Sequence, residues 1–126
     1  MVYKDWPIFG AGSIAAARVA LAAKWQGKYG AVHDALLDTP LRKVAADQIR
    51  TIAVKAGADG GRLDADLKDH GPEIDVILAR IEKQADKLGV PGTPVFLIGP
   101  LLIEQALDLD GFREAVAQAR AKVRLP

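Results

Sequence analysis

A mostly helical α/β domain is predicted by three observations in this sequence. Apolar residues recur at three- and four-residue steps in several stretches, the longest from Ile74 to Leu88, and that spacing marks helices with one buried face. Val95-Phe96-Leu97-Ile98 is an unbroken apolar run bounded by Gly and Pro, the pattern of a short strand covered on both faces. Leu101 to Ile103 follows across Gly99-Pro100, close enough to pair with it antiparallel. The reading is one domain with a helical middle between short strands.

Taken in order, Val2 to Lys4 reads as a short strand ended by Asp5-Trp6-Pro7, and Ser13 closes the Gly10-Ala11-Gly12 loop as the N-cap of a first helix. Ile14, Ala17, Leu21 and Trp25 fall on one face of it. Gly27 ends this helix, and a second runs from about Lys28 to Leu37 with Tyr29, Val32, Leu36 and Leu37 on its apolar side. Thr39-Pro40 is a break at which proline suits a helix start. From about Val44 to Ala56 a third helix turns Ile49, Ile52, Ala53 and Ala56 inward, and Gly57 stops it. Asp59-Gly60-Gly61 is a turn, after which Arg62 to Asp69 forms a short helix with Leu63 and Leu67 inward. Pro72 opens the longest helix, whose stripe is Ile74, Ile77, Leu78, Ile81, Ala85 and Leu88, with Gly89 as its C-cap. Asp108 caps the last helix, in which Ala115, Val116, Ala119 and Val123 extend one face and Leu107 and Phe112 have the spacing of a hydrophobic staple.

Composition excludes several functions. Seventeen basic and sixteen acidic residues leave a net charge of +1 with no block of one sign, so neither nucleic acid nor an anionic membrane is an expected partner. No apolar run is long enough to span a bilayer. The start Met-Val-Tyr-Lys-Asp-Trp lacks the basic and apolar regions of a secretory signal. The chain contains no cysteine, which removes disulfides and thiolate metal sites.

A search for catalytic or ligand-binding patterns assigns no chemistry to the side chains. Ser13 is the only serine and sits where a cap is needed, so it is not read as a nucleophile. His33 lies one turn after Tyr29 with no acidic partner at ligand spacing, and His70 is far from it; His33 is read as structural or solvated. Asp64, Asp66 and Asp69 lack the frame of a calcium loop and are read as a solvated face. Gly10-Ala11-Gly12-Ser13 fits neither phosphate-binding glycine motif. Asp108 and Asp110 are explained by helix capping and the dipole. No metal or cofactor is expected.

Gly89-Val90-Pro91-Gly92-Thr93-Pro94-Val95-Phe96-Leu97-Ile98-Gly99 stands apart. Pro94, at the start of the apolar run, makes Thr93-Pro94 a candidate cis bond. This segment, with the helix before it and Leu102-Ile103 and a helix after it, resembles the cis-proline region of DsbA-like thiol-disulfide oxidoreductases, which have the thioredoxin fold. Tyr3-Lys4-Asp5-Trp6-Pro7-Ile8-Phe9-Gly10 resembles the strand and loop after that family's active-site helix, and Gly27-Lys28-Tyr29 with His33 and Leu36 resembles its inserted helical domain.

The resemblance implies an incomplete thioredoxin-like fold of DsbA type, a single domain over 1–126: strand and loop at 1–10, helical insertion at 11–88, and cis-proline strand, hairpin strand and final helix at 89–126. It further implies that the amino-terminal strands and the catalytic helix are absent from this chain. The family's chemistry needs a Cys-x-x-Cys whose first thiol is activated at a helix start, so a chain without cysteine is expected to be inactive alone in dithiol exchange. By match, Thr93 and Pro94 would offer main-chain groups to an extended peptide. A competing reading is a non-enzymatic module that binds a peptide or another subunit through that groove or an open sheet edge. In the family's sheet a strand from the absent part lies between those matching Val2–Lys4 and Val95–Ile98. Unpaired edges beside apolar faces recruit strands, so a dimer, swapped or not, is expected. The alternative is that Val2 to Lys4 pairs elsewhere or frays, leaving a helical domain with a two-stranded hairpin. The family implies the periplasm; the chain as given, without an export signal, would stay in the cytoplasm.

Overall fold

A computed structural model describes residues 1–40 and 44–123. The elements are α1 (Ala11–Ala22), a 3₁₀ turn (Ala23–Gln26), α2 (Tyr29–Leu37), α3 (Ala46–Lys55), α4 (Gly60–Asp69) and α5 (Gly71–Leu88). They continue with β1 (Phe96–Ile98), β2 (Leu101–Ile103) and α6 (Leu109–Val123). These gather into two compact units, Met1–Gln84 and Ala85–Pro126, whose boundary falls inside α5, where the sequence reading drew its divisions at residues 10 and 88. The helix start read at Pro40 would run through residues 41–43, which lie outside the described ones.

In the first unit the core is built on α1, which packs against α2, α3 and α4. Its buried residues are Ala16, Ala17, Val19, Ala20 and Ala22; small side chains let neighbouring helices approach closely, so the inward face is the alanine face. Ile14, expected inward, is consequently 44% exposed. Ser13 is not the cap either. Gly10 adopts φ 83°, a conformation that costs only glycine little, and its carbonyl accepts the Ile14 N–H at 3.1 Å. The helix has therefore begun before Ser13 is reached, and no side chain caps it.

Val32 and Leu36 of α2, Ile49 and Ala53 of α3, Leu63 of α4, and Ile74 and Leu78 of α5 complete this core, which agrees with the stripes expected from spacing. Leu37 does not join it and is 70% exposed, because α2 buries only Val32 and Leu36. Asp59 begins α4 two residues earlier than expected: its Oδ1 accepts the Arg62 N–H at 2.7 Å. Gln26 fastens the loop before it, its Oε1 accepting the Asp59 N–H at 2.8 Å while its Nε2 donates to the Asp59 carbonyl at 3.3 Å. On the acidic face, Asp64 takes two hydrogen bonds from Arg50, at 2.8 and 2.7 Å, and these hold its carboxyl below the usual range. Among the described residues no group of three His, Asp or Glu side chains is placed to hold a metal ion.

The expected strand at Val2 to Lys4 is not formed. The described sheet consists of β1 and β2 alone, and residues 1–8 have no regular structure; side chains, not a ladder, hold this arm. Tyr3 lies against the rings of Tyr29 and His33, and Lys4 donates to Gln84 at 3.0 Å. The outcome matches the alternative in which this segment leaves the sheet and a hairpin remains.

In the second unit β1 and β2 pair antiparallel in the register Phe96↔Ile103, Leu97↔Leu102 and Ile98↔Leu101. β1 starts at Phe96, so Val95 stands outside it. One face of the hairpin meets α6, with Phe96 edge-on to Phe112 at 4.8 Å between centroids. Burial on both faces, expected from the apolar run, does not occur: Leu97 is 58% and Leu102 43% exposed. A two-stranded sheet with one covering helix has only one inside. Asp108 caps α6 by accepting the Gly111 N–H at 2.8 Å, and Ala115 and Ala119 are buried as expected, whereas Val123 and Leu88 are 60% and 44% exposed.

Gly99 turns the hairpin at φ 56°, and a Cβ there would lie 3.3 Å from the Ala119 Cβ. Backbone strain and crowding act in the same direction. Gly99→Ala is therefore expected to destabilise the protein by about 1–2 kcal/mol, read as a lower urea midpoint with an unchanged slope.

Candidate functional site

Two places gather features that sequence reasoning or geometry marks as functional. The first is the approach to β1. Gly89, at φ 66°, ends α5, its N–H bonded to the Asp86 carbonyl at 3.0 Å and that of Val90 to the Ala85 carbonyl at 3.3 Å. The chain then runs through Pro91, Thr93 and Pro94, all exposed, and the Thr93–Pro94 peptide bond is cis. Pro94 stands two residues before the strand rather than at its first position. Neither Thr93 nor Pro94 takes part in the β1–β2 ladder. A shallow groove lined by Ile98, Gly99, Val116, Ala119, Arg120 and Val123 runs between the hairpin turn and α6. It includes neither Thr93 nor Pro94.

The second place was not legible as a site. Asp5, from the amino-terminal arm, reaches α2 and meets Tyr29 and His33: the Tyr29 hydroxyl donates to Oδ2 at 2.9 Å, and His33 Nδ1 lies 3.1 Å from Oδ1. An ionised carboxylate only accepts, so the network places the imidazole proton on Nδ1. His33 Nδ1 also lies 3.3 Å from the Tyr29 oxygen, and the two rings stack at 5.3 Å. The Asp5 and His33 side chains are only 11% and 13% exposed. Burial, and after it the Asp5 charge, hold the Tyr29 phenol protonated far above the ordinary range of tyrosine. His33 thus has the acidic partner that its neighbours in sequence did not provide, because that partner is 28 residues away. The one local signal was the four-residue step from Tyr29 to His33, which puts both side chains on one helix face.

Among the described residues the elements are helices and one β-hairpin approached through the cis Thr93–Pro94 bond, and the sequence holds no cysteine. The model of the DSBA-like thioredoxin domain matches residues 3–117, and the chain belongs to that family. Among solved structures it is similar to a thioredoxin-like oxidoreductase from Silicibacter pomeroyi DSS-3, at 36% identity and a TM-score of 0.80. The match covers 95% of this chain and 68% of that one. None of the curated proteins matches it. The DsbA-type reading and the incomplete, mostly helical thioredoxin-like fold drawn from the sequence are thereby supported. Among the described residues no helix is long and apolar enough to cross a membrane.

Proposed function

We propose that this chain is a DsbA-like protein that performs no dithiol–disulfide exchange by itself. One observation carries the reading: the chain has no cysteine, and thiol–disulfide exchange requires attack by a thiolate on a disulfide sulfur. No other side chain supplies that nucleophile. In an insulin-reduction assay with dithiothreitol, turbidity is expected to develop at the rate of the protein-free control. A rate several-fold above it, at micromolar protein, would overturn the reading. The periplasm is the compartment this family membership favours.

A second reading, binding without catalysis, is favoured by the open hairpin. Leu97 and Leu102 form an exposed cross-strand pair, among the described residues no strand pairs with the outer edges of β1 and β2, and Thr93 and Pro94, just before β1 in the chain, are exposed. Such an edge accepts either an extended peptide through Thr93 and Pro94 or a second copy of the chain. Self-association is the form tested most directly. Light scattering after size exclusion is expected to give twice the monomer mass at tens of micromolar, and Leu97→Glu with Leu102→Lys to give the monomer. A parent chain that is monomeric at that concentration rules out the dimer.

A further inference from the structure

We infer that Asp5, Tyr29 and His33 form a binding site for a trivalent transition-metal ion, iron(III). The three side chains stand at the spacing of ligands around one ion. His33 Nδ1 lies 3.1 Å from Asp5 Oδ1 and 3.3 Å from the Tyr29 oxygen, which is itself 2.9 Å from Asp5 Oδ2. Neighbouring corners of an octahedron with bonds of about 2.1 Å are about 3.0 Å apart. Three ligands so placed form one face of that octahedron, and water or a small anion completes it.

Such distances also suit hydrogen bonds, and charge separates the two uses. The Asp5 side chain is 11% exposed, and among the described residues no lysine or arginine forms an ion pair with it. The charges that act on the Tyr29 hydroxyl come from Asp5, Tyr3 and Asp34, all acids. A carboxylate withdrawn from water calls for a positive charge beside it, and no permanently charged residue supplies one here. The types of ligand then set the class of ion. Carboxylate and phenolate are hard oxygen anions, and imidazole suits iron, copper and zinc; two anions with one neutral nitrogen favour a trivalent ion. On binding, the Tyr29 hydroxyl releases its proton to solvent. The neutral imidazole carries its proton on Nε2 instead of Nδ1, so that Nδ1 offers its lone pair to the metal, and Asp5 keeps its charge.

The experiment titrates the full chain with iron(III) nitrilotriacetate near neutral pH and follows visible absorption. A phenolate-to-iron charge-transfer band is expected, saturating at one iron per chain. The sequence has two tyrosines, and the Tyr3 ring also lies 4.9 Å from that of His33, so both are tested. Tyr29→Phe, which keeps the ring, loses the band, and Tyr3→Phe retains it. The Tyr3→Phe result assigns the phenolate to Tyr29 even where Tyr29→Phe has lost its helical circular dichroism. Asp5→Asn and His33→Gln, close in shape to the residues they replace, each weaken binding at least about tenfold. Iron raises the melting temperature of the parent and not that of Asp5→Asn. No band in the parent, a band that survives Tyr29→Phe or disappears in Tyr3→Phe, or unchanged affinity in Asp5→Asn would each overturn the inference.

Discussion

Ile74→Ala is expected to lower the free energy of unfolding by about 3–5 kcal/mol, the upper part of the range for such substitutions. Ile74 is completely buried in the first turn of α5 and belongs to the cluster that holds Leu63, Ile49 and Leu78. Part of the loss is the transfer free energy of the removed methyl and methylene groups. The remainder depends on how far the surroundings collapse into the space. Here they collapse poorly: α1 contributes alanine methyl groups to this cluster, and a methyl group has no rotamer that reaches into a void. Leu37→Ala is the control. That leucine is 70% exposed, and its truncation is expected to change stability by no more than about 0.5 kcal/mol. Urea unfolding followed by helical circular dichroism checks both, and equal losses in the two variants would contradict the assignment of the core.

The second large effect is on alkaline stability. In the unfolded chain Tyr29 ionises near 10.0, the ordinary value for tyrosine, whereas in the folded chain burial and the Asp5 carboxylate hold its proton well above that. Between those limits the folded state binds more protons than the unfolded state, so stability falls as pH rises. Below pH 10 the contribution is fully present. Above it, the slope for one proton is at most about 1.4 kcal/mol per pH unit, and because the phenol is partly open to solvent, which screens the charges around it, the pH range over which it acts is narrowed. Tyr29→Phe has no proton to lose. The urea midpoint of the parent is expected to fall between pH 9.5 and 11.5 more steeply than that of Tyr29→Phe, and parallel curves would show that the phenol is not held as the geometry requires. The Arg50–Asp64 pair acts at the other end of the scale. Asp64 is held below its ordinary value by Arg50, so whatever stability it contributes is present above the unfolded-state value and lost as the solution becomes more acid.

The chain belongs to the DSBA-like thioredoxin family, and it has no cysteine. The hairpin and the approach through Thr93 and Pro94 are in place, while no residue can serve as the attacking thiolate. The two candidate places differ in kind. At the hairpin, apolar side chains lie exposed and, among the described residues, no strand pairs with the outer edges; at the Asp5 node, the polar groups already satisfy one another.

Much of the helical architecture was present in periodicity. Ile49 and Ala53, Leu63, Ile74 and Leu78 recur at helical spacing and are buried, because a side chain's position around a helix depends only on its number along the chain. Turn chemistry was equally local. Gly89 ends α5, Asp108 caps α6, and Gly99-Pro100 joins the two strands in the expected pairing. That the protein has no thiol is a property of its sequence alone.

Only the tertiary structure decided which apolar residues stay uncovered and which polar ones meet. Ile14, Leu37, Leu97 and Leu102 carry the same local signal as buried neighbours, but whether a second layer covers them depends on elements distant in sequence. The same holds for Val2 to Lys4, whose β-forming pattern needs a partner edge; instead Tyr3 meets the rings of Tyr29 and His33 on α2 and Lys4 bonds Gln84 on α5. Asp5 and His33 are 28 positions apart. Nothing in the spacing of either predicts the other, since a hydrogen bond between them exists only after the arm has folded back onto the helix.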